Sequence, residues 1–118
     1  MAKVLLVDDA PDILLLVRTL LSVEPELQIV GEAATPAEAI ELAETLRPDI
    51  VILDQGFGED ISGLEAAPLI MKAAPGTKIV LFTAFHDIKG LSATDSIKEY
   101  VLKTDAHKLV DVVLRLLS

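Results

Sequence analysis

Residues 3–9 read KVLLVDD and residues 49–54 read DIVILD, and these two stretches decide the fold. Each is a short run of branched aliphatic side chains that ends in aspartate. Neither alternates polar with apolar, so each predicts a strand buried on both faces, as in a parallel sheet covered by helices on either side. Between them, residues 11–23 place Leu14, Leu15, Val17, Leu20 and Leu21 with helical recurrence. Glu24-Pro25 closes that helix, because the residue before a proline is driven out of the helical region. Residues 27–32 (LQIVGE) predict a second strand. Thr35-Pro36-Ala37-Glu38 is a capping-box signature, with Thr35 as N-cap, Pro36 at the first helical position and Glu38 reaching back. The helix it opens runs to about residue 46, where Arg47-Pro48 ends it.

Downstream of DIVILD, a glycine-containing acidic loop covers residues 55–61. Ser62-Gly63-Leu64-Glu65 repeats the capping-box pattern ahead of a helix to about residue 74, and Pro75-Gly76 makes a turn. Residues 77–82 (TKIVLF) predict a fourth strand and residues 99–103 (EYVLK) a short fifth. Residues 86–96 between them are expected as a helix, weakened by Gly90, Ser92, Thr94 and Asp95. A strongly amphipathic helix over 106–117 closes the chain. Strands alternating with helices predict right-handed βαβ crossovers. The expected architecture is α/β, a doubly wound five-stranded parallel sheet of order 2-1-3-4-5, flavodoxin-like, with residues 1–118 forming one domain. That order puts the topological switch between strands one and three, where ligands bind at the carboxyl ends.

Composition narrows the chemistry. Apolar residues make up 52% of the 118 and aromatics only 3%, so the core is built from Leu, Val, Ile and Ala, and a disordered chain is excluded. With no cysteine, disulfides, thiolate metal sites and a cysteine nucleophile are excluded too. A net charge of −9 argues against this domain binding a nucleic-acid backbone, which needs a positive footprint. No apolar run approaches the roughly 18 residues of a membrane span and no leader opens the sequence, so the expected setting is cytoplasmic, away from membrane.

The switch point collects acidic side chains. Asp8 and Asp9 end strand one and Asp54 ends strand three. A single aspartate at a strand end commonly caps the next helix, but three at one edge make a cluster of hard oxygen ligands. Such a cluster suits Mg²⁺, which takes one or two carboxylates, keeps several waters and leaves room for a phosphate oxygen. Thr83 and Lys103 end strands four and five at the same edge. Alone, such a lysine is usually a solvated surface residue and such a threonine a helix cap. Together, Lys103 can pair with Asp54 or with a phosphoryl oxygen, and Thr83 can donate its hydroxyl to that oxygen.

With VDD (7–9), ILD (52–54), FTA (82–84) and YVLK (100–103) in this order, the chain resembles the receiver domain of two-component response regulators over essentially its whole length. The resemblance implies Asp54 as phosphoacceptor for a histidine kinase or phosphotransfer protein. It implies Asp8, Asp9, Asp54 and the carbonyl of Gly56 around Mg²⁺, and Thr83 and Lys103 as phosphoryl-binding catalytic residues. Thr83 and Tyr100 become the switch pair, and the face of the fourth helix, fifth strand and fifth helix becomes the output surface, a candidate for homodimerisation. A receiver of this kind catalyses only its own phosphorylation and dephosphorylation. The Lys-Thr-Asp-Ala stretch at 103–106 resembles receivers that precede helix-turn-helix output domains, which implies transcriptional regulation with DNA contacted elsewhere.

The sequence departs from that pattern in four places. Thr104 stands where the family usually has a proline after the lysine, so a cis bond is disfavoured. The loop QGFGEDISG after Asp54 lacks the usual Met-Pro and is one residue longer. The segment between Thr83 and Tyr100 is short, with Ser96-Ile97 in place of Gly-Ala. Gly56 and Phe85 occupy the positions that tune access of water, and Phe85 is expected to shield the acyl phosphate. His86 and His107 read as surface or capping residues. Three other classes stand beside this reading. A haloacid-dehalogenase-type phosphohydrolase needs Asp-x-Asp, and Ala10 breaks it. A flavin carrier needs a phosphate loop where Asp8-Asp9 would repel phosphate. A phosphorylation-independent, receiver-like interaction module remains the alternative.

Overall fold

The computed structural model describes residues 1–58, 61–84 and 96–118. Five strands, β1 (Ala2–Val7), β2 (Leu27–Ala33), β3 (Ile50–Leu53), β4 (Lys78–Thr83) and β5 (Ile97–Leu102), form one sheet. Every pairing is parallel, as the alternation of elements predicts, and the order is the expected β2-β1-β3-β4-β5. The described helices are α1 (Pro11–Ser22), α2 (Pro36–Leu46), α3 (Gly63–Ala73) and α4 (Leu109–Leu117). The helix expected over 86–96 lies outside the described residues, apart from Ser96, which is a bend leading into β5. No helix among the described residues is long and apolar enough to cross a membrane.

The unbroken apolar strands are explained by two cores, one on each face. Leu5, Val7, Val51, Leu53, Ile79 and Leu81 pack with Ala39 and Ala43 of α2 and Ala66, Ala67 and Ile70 of α3. Val4, Leu6, Ile50, Ile52, Val80 and Phe82 pack with Val17 and Leu21 of α1 and Leu109 and Val113 of α4. Successive strand residues point to opposite faces, so a strand buried on both faces has no polar position to spare. On α1 the buried residues are Val17 and Leu21, whereas Leu15 and Leu16 face solvent.

Local signals act as their chemistry demands. Ser62 and Glu65 form a complete capping box at α3. At α2, Thr35 Oγ1 accepts from the Glu38 amide, but Glu38 Oε1 reaches one residue further back and accepts from the Ala34 amide at 2.7 Å. Arg47 ends α2 in the left-handed region at φ 50°. At the amino edge of the sheet, Lys3 Nζ donates to the Leu46 carbonyl and Lys78 Nζ to that of Leu116. Both cations thereby sit at the negative ends of helices.

Two boundaries differ from expectation by two residues or more. β5 begins at Ile97, two residues early, because an edge strand tolerates the exposed Lys98 that interrupts the apolar run. Residues 103–108 wind as a 3₁₀ turn, Lys103–Lys108, with Asp105 outside helical geometry, so α4 starts only at Leu109. No cis peptide bond occurs among the described residues.

Candidate functional site

The sheet ladder carries the acidic residues to their places. The Asp8 amide donates to the Ala33 carbonyl and the Asp54 amide to the Val7 carbonyl, each at 3.0 Å. Both residues thus extend the hydrogen-bonded ladder one step past the end of their strand, and their side chains emerge at the carboxyl edge. The floor beneath them is apolar, made by Leu6, Ile52 and Phe82 of the sheet and Ile13, Leu14 and Val17 of α1. Asp8 and Asp54 are buried, whereas Asp9 is exposed.

One carboxylate oxygen from each of Asp8, Asp9 and Asp54 lies within 4.8 Å of the other two. Lys103, at the end of β5, reaches across with Nζ 2.8 Å from Asp8 Oδ2 and 3.3 Å from Asp54 Oδ2. Asp8 Oδ1 accepts from the Ala10 amide at 2.9 Å, and Asp54 Oδ1 from the Gln55 amide at 2.8 Å. The two oxygens of Asp54 are therefore distinguished: one is held by backbone, the other faces the ammonium. α1 has no side-chain cap, so Asp9 is not spent on that duty.

Three carboxylates with one ammonium leave the site with excess negative charge. Burial, then the charge of Asp8, raises the Asp54 pKa above its ordinary value, against the opposing pull of Lys103 and the Gln55 amide. For Lys103, burial alone would lower the pKa, but the hydrogen bond to Asp8 and the charges of Asp54 and Asp8 outweigh it and hold the ammonium above its ordinary value. A hard dication matches this donor set in charge and in ligand type.

Of the other expected residues, Thr83 and Gly56 stand at the same edge, and Tyr100 lies within β5. Thr83, fully buried, is the last residue of β4 and pairs with Leu102. Tyr100 lies on β5, half-buried, in register with Leu81. Gly56 follows Asp54 by two positions and is partly buried. His107 is exposed on the 3₁₀ turn and is not one of the clustered ligands. Phe85 and His86 lie outside the described residues.

Two residues that sequence reading passed over frame the site. At Gly63, a Cβ would stand 2.0 Å from the Asp54 carbonyl oxygen and 3.0 Å from Gln55 Cα. Both are backbone atoms, so no rotamer change can make room. Gly63→Ala is expected to cost about 1–3 kcal/mol of stability in urea denaturation and to displace the Asp54 backbone, visible as a large shift of the Asp54 amide resonance. An unchanged denaturation midpoint would refute this close approach. Gln55 is the second: its carbonyl accepts from the Gly63 amide and its Oε1 from the Leu64 amide, both at 2.8 Å.

A parallel sheet of this order, with an aspartate cluster and a lysine at its carboxyl edge, matches a class of signalling domains, the receivers of response regulators. The family profile described as "response regulator receiver domain" matches residues 4–114, and the chain belongs to that family. Among curated relatives, the response regulator protein VraR of Staphylococcus aureus is 36% identical over 108 residues, which cover 90% of this chain and 51% of VraR. The chain thus spans about half the length of the curated relatives it matches. Among solved structures, a LuxR-family two-component response regulator from Aurantimonas shares 31% identity at a TM-score of 0.89, covering 99% of this chain and 85% of that one. The response regulator TrrA from Thermotoga maritima, solved in complex with Mg²⁺-BeF, shares 33% identity at a TM-score of 0.85, covering 98% and 99%.

Proposed function

We propose that residues 1–118 form one receiver domain that takes a phosphoryl group onto Asp54 from a phosphohistidine of a partner histidine kinase or phosphotransfer protein. The convergence of the Asp8, Asp9 and Asp54 carboxylates on one spot, bridged by Lys103, carries the reading. A carboxylate oxygen of Asp54 attacks phosphorus in line, the new O–P bond forms, and the P–N bond breaks with its electron pair going to the imidazole. Lys103 offsets charge on the phosphoryl oxygens, and Thr83 donates its hydroxyl to one of them. Asp8, Asp9, Asp54 and the Gly56 carbonyl would hold Mg²⁺, which supplies charge neutralisation to the transferring group. The solved TrrA complex with Mg²⁺-BeF, whose sequence is a third identical over nearly the full chain, supports the same cation here.

Phosphorylation adds negative charge beside Asp54. Hydrogen bonding from Thr83 then draws the end of β4 inward, and Tyr100 turns in response, shifting the population of the surface around β5 and α4. That surface is the candidate for homodimerisation. The likeness to VraR and to a LuxR-family regulator supports an output in transcription, with DNA bound outside this acidic domain. The domain catalyses only its own phosphorylation and dephosphorylation.

Titration with beryllofluoride, which mimics a phosphoryl group, tests the reading. With Mg²⁺ present, the amides of Asp54, Thr83, Tyr100 and Lys103 are expected to shift; a spectrum that does not move overturns it. Asp9→Ala is expected to weaken Mg²⁺ by more than about tenfold in calorimetry. Unchanged affinity would remove Asp9 from the ligand set.

A further inference from the structure

Gln55 holds both ends of the loop that follows the phosphoacceptor. Its amide donates to Asp54 Oδ1, its carbonyl accepts from the Gly63 amide, and its side-chain Oε1 accepts from the Leu64 amide, all at 2.8 Å. Gly63 and Leu64 are the first two residues of α3, whose amides have no partner within the helix. The third, Glu65, is satisfied by Ser62 Oγ. Two of the first three free donors of α3 therefore end on Gln55, which ties the start of that helix to the residue after Asp54.

We infer that Gln55 is a positioning residue for phosphoryl acceptance, clamping the start of α3 to the Asp54 backbone so that Asp54 Oδ1 stays on the Gln55 amide and Oδ2 stays towards Lys103. The inference rests on the phosphoacceptor reading of Asp54. Its physical basis is geometric. Without the side-chain acceptor, the Leu64 amide has no partner, the Gln55–Gly63 contact loosens, and the amide that fixes Oδ1 moves with it. A shift of about 1 Å at a reacting atom costs as much as a hundredfold in rate.

Gln55→Met keeps length and removes the acceptor, and Gln55→Glu restores an acceptor that also suits a helix N-terminus. Ser62→Ala is the control, since it removes a cap from the same turn without touching Asp54. At saturating Mg²⁺ and acetyl phosphate, Gln55→Met is expected to slow phosphorylation about tenfold to a hundredfold. Gln55→Glu should recover most of that rate, and Ser62→Ala should keep the wild-type rate despite a lower melting temperature. Amide hydrogen exchange in the metal-free protein supplies an independent readout, with residues 55 and 64 exchanging faster in Gln55→Met but residue 55 unchanged in Ser62→Ala. A wild-type rate in Gln55→Met, or equal slowing in Gln55→Met and Ser62→Ala, overturns the inference. Wild-type protein that takes up no phosphoryl group at all sinks the phosphoacceptor reading instead, and unaltered exchange at residue 55 then sinks the clamp as well.

Discussion

Incubated with acetyl phosphate and Mg²⁺, the wild-type chain is expected to gain one phosphoryl group by intact mass, and Asp54→Asn none. A carboxamide keeps the shape of the side chain but replaces the nucleophilic oxygen pair with a poor nucleophile, so the loss should be complete rather than partial. The same substitution should stabilise the metal-free fold. Asp54 is buried beside Asp8 and its pKa is raised, so the folded state binds that proton more tightly than the unfolded chain does. The sign follows from linkage: Asp54 adds stability below its ordinary value of 3.8, and that contribution is lost as pH rises through the raised folded value. At neutral pH the ionised carboxylate is therefore a cost, and Asp54→Asn should raise unfolding stability by about 1 kcal/mol, the usual scale for relaxing a strained functional site. Urea denaturation at two pH values without Mg²⁺ checks this, with the advantage of the variant shrinking towards acid. A phosphoryl adduct persisting on Asp54→Asn would move the acceptor elsewhere in the cluster. Equal stability at neutral pH would show that Lys103 already balances the charge.

The fold was legible because its strands are buried on both faces. KVLLVD and DIVILD admit no polar interruption, and each ends on the aspartate that the last ladder bond turns towards the edge. That same placement made the cluster readable, since parallel strands of equal polarity bring their carboxyl ends together. Edge positions were less legible. β5 carries the exposed Lys98 inside a strand, so its start could not be found from an apolar run, and the 3₁₀ turn at Lys103–Lys108 has no periodicity to mark it. Gln55 and Gly63 were missed for a different reason. Their roles come from hydrogen bonds and a close approach between residues eight and nine positions apart, across a loop whose path local pattern does not specify. The signal for Gly63 was present in weak form: a glycine, poor in helix propensity, stood immediately after a serine cap, where a better helix former would serve unless space forbade it.

Replacing Lys103 should separate binding from chemistry. Its ammonium neutralises Asp8 and Asp54 from 2.8 and 3.3 Å, and a dication in the same cluster would do the same work. Lys103→Met therefore is expected to bind Mg²⁺ more tightly than wild type while accepting phosphoryl groups about 10²–10³-fold more slowly, the loss typical of removing one charge-stabilising donor from a reacting centre. The metal-free fold should lose about 2 kcal/mol at neutral pH, because two buried carboxylates forfeit a charge-assisted hydrogen bond. Since the pKa of Lys103 is raised on folding, its contribution is complete below its ordinary value of 10.5 and disappears as pH rises through the folded value. Wild-type protein should accordingly lose this increment in strongly alkaline solution, where Lys103→Met, lacking it at every pH, has nothing further to lose from that position. Mg²⁺ should restore the stability of the variant without restoring its rate, because charge balance can be supplied by any cation in the cluster, whereas contact with the transferred oxygens requires the ammonium at the end of β5. Calorimetry for affinity and intact-mass time courses at saturating Mg²⁺ give the two halves separately. Tighter Mg²⁺ with an unchanged rate would reduce Lys103 to a counterion, and a slower rate with weaker Mg²⁺ would mean that the cluster itself had collapsed.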